Sequence, residues 1–116
     1  MPANTISVTR PGRWGNPVKV TPVVPASVAL QSFLIYLGQS GEARLRELVE
    51  PLRGRDLACF CSPSALCHAD VWLWLAADEQ HLVKFCTTYA AATCKVCWAM
   101  AMMLVVCGNA AARMNL

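Results

Sequence analysis

The sequence predicts a small α/β fold, a Rossmann-like open sheet of parallel strands with flanking helices, followed by an apolar helical C-terminal tail. Three observations lead there. Two short runs have strand character, the β-branched Thr5-Ile6-Ser7-Val8-Thr9 and the apolar Leu57-Ala58-Cys59-Phe60. Segments of helical periodicity lie between and after them, and an order of strand, helices, strand, helix pairs its strands in parallel by default. Finally, 116 residues suit one compact domain, and 56% hydrophobic against 15% charged residues supplies a core and excludes a disordered chain.

Taken in order, the first strand covers residues 5–9. It runs into Arg10-Pro11-Gly12-Arg13-Trp14-Gly15-Asn16-Pro17, where two prolines and two glycines in eight residues forbid regular structure. A helix begins near Ala26. Its stripe is Leu30, Phe33, Leu34 and Leu37, at the spacing of one helix face, and Gly38 is the expected stop. A second helix spans about Glu42 to Glu50, with Leu45, Leu48 and Val49 inward and Glu42, Arg44, Arg46, Glu47 and Glu50 on a solvated face. Arg53 to Asp56 is a turn. Residues 57–60 form a buried strand, and a third helix covers Cys67 to Ala77.

Residues 1–79 are expected to be the α/β domain and 80–116 an appended extension. All seven acidic residues lie between Glu42 and Glu79, whereas Phe85 to Leu116 holds two charges, eight alanines, four methionines and four of the seven cysteines. The stretch 93–112, with Lys95 near one end, is twenty residues long, so membrane association is the minority alternative to a helix packed on the domain or a poorly ordered extension. Cys94-Lys95-Val96-Cys97 is a single C-x-x-C without a second pair or a βαβ setting, so it is weak as a metal or redox signal. No apolar leader opens Met1 to Arg10, and seven cysteines cannot all pair within one chain. Reduced thiols and a cytoplasmic location are expected. A net charge of +3 does not indicate a nucleic-acid partner.

Parallel sheets bind ligands beyond the carboxyl ends of their strands. There the predicted topology brings together residues 10–17 and 59–70. The first loop offers Arg10 and Arg13 for a phosphate or carboxylate, the Trp14 face for stacking and the Asn16 amide for positioning. The alternative is a rigid loop with Trp14 as a core plug. The second loop holds Cys59, Cys61, Cys67, His68 and Asp70 within twelve residues. At a helix start the dipole favours a Cys67 thiolate or a bound anion, and His68 with Asp70 can move protons. On helical geometry Cys67 and Asp70 share a face, while His68 points elsewhere and needs a partner from another segment. A four-ligand zinc site of Cys59, Cys61, Cys67 and His68 is the rival, with C-x-C followed by adjacent Cys-His against the usual ligand spacing. The structural alternative makes Asp70 a helix N-terminal charge and the cysteines small hydrophobes.

Arg10, Pro11 and Trp14 to Pro17, Leu52 to Cys61, and Cys67-His68-Ala69-Asp70 together resemble the family called domain of unknown function 4326. Its motifs are R-P-x-x-W-G-N-P, L-x-G-K-x-L-x-C-W-C and C-H-[AG]-D. Phe60 stands here where the family usually has Trp, and Arg55 where it usually has Lys. The resemblance covers about residues 7–77, is typical of phage, prokaryotic and large DNA virus proteins, and marks Arg10, Trp14, Asn16, Cys59, Cys61, Cys67, His68 and Asp70 as motif positions. It implies no named reaction.

The resulting expectation is a protein that binds a phosphate-bearing or nucleotide-type small molecule and acts on it. Cys67, His68 and Asp70 form the active site, and Arg10, Arg13, Trp14, Asn16, Cys59 and Cys61 bind the ligand. The alternative is a zinc-stabilised binding module without catalysis, tethered to a membrane by its tail. His68 and Asp70 are expected to be exposed, so that alanine at either costs within about 0.5 kcal/mol.

Overall fold

A computed structural model describes residues 4–9, 12–59, 67–106 and 114–115, with the backbone alone at Cys59, Met114 and Asn115. The order is β1 (Thr5–Ser7), α1 (Ala26–Ser40), α2 (Glu42–Val49), a 3-10 turn (Glu50–Leu52), β2 (Asp56–Cys59), α3 (His68–Ala77), α4 (Glu79–Ala91), α5 (Lys95–Val106) and β3 (Met114–Asn115). The protein is mixed α/β and mostly helical.

The sheet is small and parallel, in the order β1-β2-β3. Thr5 stands beside Asp56, Ile6 beside Leu57 and Ser7 beside Ala58. Val8 continues the pairing, its N–H donating to the Ala58 carbonyl at 3.0 Å. On the far side of β2, Ala58 pairs with Met114 and Cys59 with Asn115. This third strand is a finding the sequence did not announce, because two residues without β-branching give no periodic signal.

Apolar spacing accounts for the helices. In α1, Leu30, Phe33, Leu34 and Leu37 are buried as expected, but the helix runs past Gly38 to Ser40. Gly38 is there for a close approach, since a Cβ on it would overlap the Tyr89 ring of α4. The break falls at Gly41, whose φ of 89° is the left-handed conformation that glycine tolerates. Helix α4 is capped by the Asp78 carboxylate, which accepts the Gln80 N–H at 2.9 Å.

The charged face of α2 is exposed as expected, with Glu42, Arg44, Arg46, Glu47 and Glu50 all at the surface. Arg44 pairs with Glu47 on the surface, whereas Arg46 reaches across to Glu79 at the start of α4. Arg53 meets the same carboxylate at 2.7 Å and donates to the Ala76 carbonyl at the end of α3. Exposed ion pairs contribute about 0–1 kcal/mol each, so these contacts orient the helix ends more than they hold the core.

One cluster of buried side chains runs through the protein. Val8 and Leu57 come from the strands, Leu45, Leu48 and Val49 from α2, and Val71, Trp72, Trp74 and Leu75 from α3. Leu82, Phe85, Trp98, Ala99, Met102 and Val106 of α4 and α5 belong to the same cluster. The boundary expected at residue 79 coincides with the start of α4, and the packing continues through it. Trp98 is wedged edge-on against Phe85 and Tyr89, with centroids 5.0 and 4.9 Å away. Among the described residues no helix is long and apolar enough to cross a membrane. Helix α5 has 12 residues, about 18 Å against a hydrocarbon core of about 30 Å.

Two outcomes follow from this packing. Leu57→Ala, which empties a fully buried strand position, lowers stability by about 2–5 kcal/mol, read as a shift in urea midpoint. A fragment of residues 1–79 lacks the partners of α1 and is expected to aggregate or to melt without cooperativity beside a soluble full chain. A soluble fragment with a sharp thermal transition would instead show two folding units.

Candidate functional site

The carboxyl ends of β1 and β2 point toward the loop after β1 and the start of α3. Two short turns shape that loop, with the Gly12 N–H on the Thr9 carbonyl at 3.0 Å and the Gly15 N–H on the Gly12 carbonyl at 2.9 Å. Trp14 is half-buried against the core, and its indole N–H donates to the Leu48 carbonyl at 2.8 Å. Leu48 lies in the last turn of α2, where carbonyls lack partners within the helix, so Trp14 acts as a C-terminal cap. The Trp72 indole N–H returns to the Trp14 carbonyl at 2.9 Å. Asn16 is buried. Its NH2 donates to the Ala29 carbonyl at 3.3 Å, while its oxygen accepts the Val18 N–H at 2.9 Å. The amide therefore ties the loop to α1. Arg13 is exposed, with its guanidinium carbon 4.4 Å from the Trp14 ring centroid. This stacking keeps a cation at the loop's surface with its fork available to an anion.

The start of α3 is built from the motif residues. Cys67 is the N-cap, and its sulfur accepts the Ala69 N–H at 3.5 Å. His68 is the first helical residue. Its Nε2 lies 2.5 Å from the Val8 carbonyl, one residue past β1. A carbonyl can only accept, so Nε2 carries a proton and donates it, and Nδ1 is the other ring nitrogen. That Nδ1 faces the Cys67 sulfur at 3.7 Å. The ring also stands edge-on to Phe33, with centroids 5.6 Å apart. His68 does find its partner on another segment, but it reaches Cys67 as well. The partner is a main-chain carbonyl, which no pattern of side chains in the sequence could reveal.

Asp70, in the first turn of α3, is 1% exposed and His68 only half-buried, where the sequence reading placed both at the surface. Helix α3 is apolar on nearly every side, burying Ala69, Val71, Trp72, Trp74 and Leu75, so position 70 has no solvent face to occupy. A carboxylate at that depth is held by protein groups rather than by water. The favourable N-terminal dipole acts on it in addition.

Thus the start of α3 is tied to the end of β1 through His68 and Val8, and α3 to the loop after β1 through Trp72 and Trp14, with Arg13 over the Trp14 ring and Asn16 joining the same loop to α1. Arg10, Cys61 and the side chain of Cys59 lie outside the described residues. No group of three His, Cys, Asp or Glu residues able to hold a metal occurs among those described.

Compared with known proteins, residues 1–78 match the family described as Domain of unknown function (DUF4326). No curated protein and no solved structure matches the chain.

The anchoring bonds set a stability test. Asn16→Leu removes the bonds to the Ala29 carbonyl and the Val18 N–H, and His68→Ala removes the bond to the Val8 carbonyl. Each is expected to cost about 1–3 kcal/mol, seen as a lower urea midpoint with an unchanged slope. An unchanged midpoint in either variant would show that the bond contributes nothing to the fold.

Proposed function

The chain belongs to the DUF4326 family, and from that premise we propose that the carboxyl edge of β1 and β2 binds a phosphate-bearing, nucleotide-type ligand, with Cys67 and His68 acting on it. One observation carries this reading: the Arg13–Trp14 stack and the N-terminus of α3 meet at the same edge, bridged by the Trp72 bond to Trp14 and the His68 bond to Val8. The fold it presumes is a reduced Rossmann-like sheet, in which such edges serve anionic ligands.

The roles follow from the chemistry of each group. Arg13, joined by Arg10, supplies bidentate donors to phosphate oxygens. The Trp14 ring offers an aromatic surface beside that cation. Asn16 keeps the loop on α1, so it is a positioning residue. His68 in its neutral form presents Nδ1 as a base toward the Cys67 thiol at 3.7 Å. Transfer of that proton leaves a thiolate at a helix N-terminus, where the dipole favours it. The pair can then serve as a nucleophile and its acid–base partner on a bound ligand.

Titration of the full-length chain with adenosine diphosphate, and separately with inorganic phosphate, tests the binding reading by calorimetry and thermal melting. The diphosphate is expected to raise the melting temperature, by an amount equivalent to about 2.7 kcal/mol at a hundredfold excess over Kd. Arg13→Ala should weaken it at least tenfold without changing the melt of the unliganded protein. Millimolar ligand with no shift for either compound would overturn the reading. Stoichiometric zinc in the purified protein, lost on Cys67→Ser, would replace it with a zinc-stabilised binding module.

A further inference from the structure

We propose that Cys94 and Cys97 form a second functional site, a redox-active dithiol that closes to a disulfide by exchange with a low-molecular-weight disulfide of the glutathione class. The pair lies at the start of α5, far along the chain from the motif residues. The two sulfurs are 2.7 Å apart and both residues are exposed. An S–S bond is about 2.05 Å long, so closure needs a sulfur displacement of only about 0.7 Å.

The geometry also separates the two roles. Cys94 precedes the first helical residue, and its carbonyl accepts the Trp98 N–H at 3.0 Å. Its sulfur accepts the Cys97 main-chain N–H at 3.2 Å and lies beside the Cys97 sulfur. These contacts favour the Cys94 thiolate and lower its pKa, the Cys97 side chain first and its N–H second, while the same contact raises Cys97. Cys86 makes a useful contrast, for burial pushes its thiol up and Glu42 adds to the effect. Cys94 is thus the attacking group and Cys97 the resolving one.

Side chains other than the cysteines hold the turn in place. Lys95 donates to the Tyr89 and Ala92 carbonyls at 2.5 and 2.9 Å, capping the end of α4, and its ammonium lies 4.2 Å from the Tyr89 ring centroid. The Trp98 indole N–H donates to the Thr88 hydroxyl at 3.0 Å. The sulfurs are therefore brought together before any bond forms between them.

The exchange balances as follows. The Cys94 thiolate attacks one sulfur of the small disulfide, forming a mixed disulfide and releasing one thiolate. Cys97 then loses its proton, attacks the Cys94 sulfur and releases the second thiolate. Two electrons and two protons pass from the protein dithiol to the small disulfide, which leaves as two thiols.

Equilibrating the full chain in buffers of graded reduced and oxidised glutathione, then quenching with acid, alkylating and mapping peptides, tests the proposal. Cys94 and Cys97 should lose their alkyl labels together along one transition. Cys97→Ser should trap glutathione on Cys94, and Cys94→Ser should react at least tenfold more slowly. Labels lost independently, or retained at both positions in fully oxidised glutathione, would overturn the dithiol. Equal trapping in the two variants would overturn Cys94 as the attacking thiol.

Discussion

Parallel pairing of β1 with β2 places Ile6 beside Leu57 and Ser7 beside Ala58, and so brings the carboxyl ends of both strands to one edge of the sheet. The strands are too short to bury much surface themselves. Their pairing matters because it fixes where the Val8 carbonyl stands, just beyond the register, with its N–H on Ala58. His68 closes onto that carbonyl and seats the start of α3. Once α3 is seated, Trp72 can reach the Trp14 carbonyl and the loop after β1 has a fixed floor. Parallel strands need a long crossover between them, and α1 and α2 fill that connection with buried leucines.

Structure and chemistry overlap in these residues. Trp14, Asn16 and His68 each spend a polar group on a main-chain carbonyl of another segment: Leu48, Ala29 and Val8. The Trp14 bond caps the end of α2 and the His68 bond satisfies a loop carbonyl, while the Asn16 bond, to a carbonyl inside α1, ties the loop to that helix. Arg13 and the Nδ1 side of His68 are different. Their bonding capacity is turned toward the loop surface and toward Cys67.

The C-terminal third has a comparable division. Phe85 and Trp98 pack into the common core, whereas Val96, Met100, Leu104 and Val105 on α5 remain exposed. The same helix start that buries Trp98 holds the two thiols of the C-x-x-C at its surface. A family match ending at residue 78 and a core that continues to Val106 describe different properties, shared sequence in one case and shared packing in the other.

Much of the local structure was legible in the sequence. Apolar spacing located α1, α2 and α3, and the run from Leu57 marked the central strand. Those signals are local, set by 3.6-residue periodicity and by turn residues. Gly38 misled because a glycine stopping a helix and a glycine admitting the Tyr89 ring look the same in one dimension. The burial of Asp70, the Val8 partner of His68, the third strand and the joining of α5 to the core were decided only by tertiary structure. Each depends on a group distant in sequence, or on a main-chain atom that every residue possesses and that no side-chain pattern can encode.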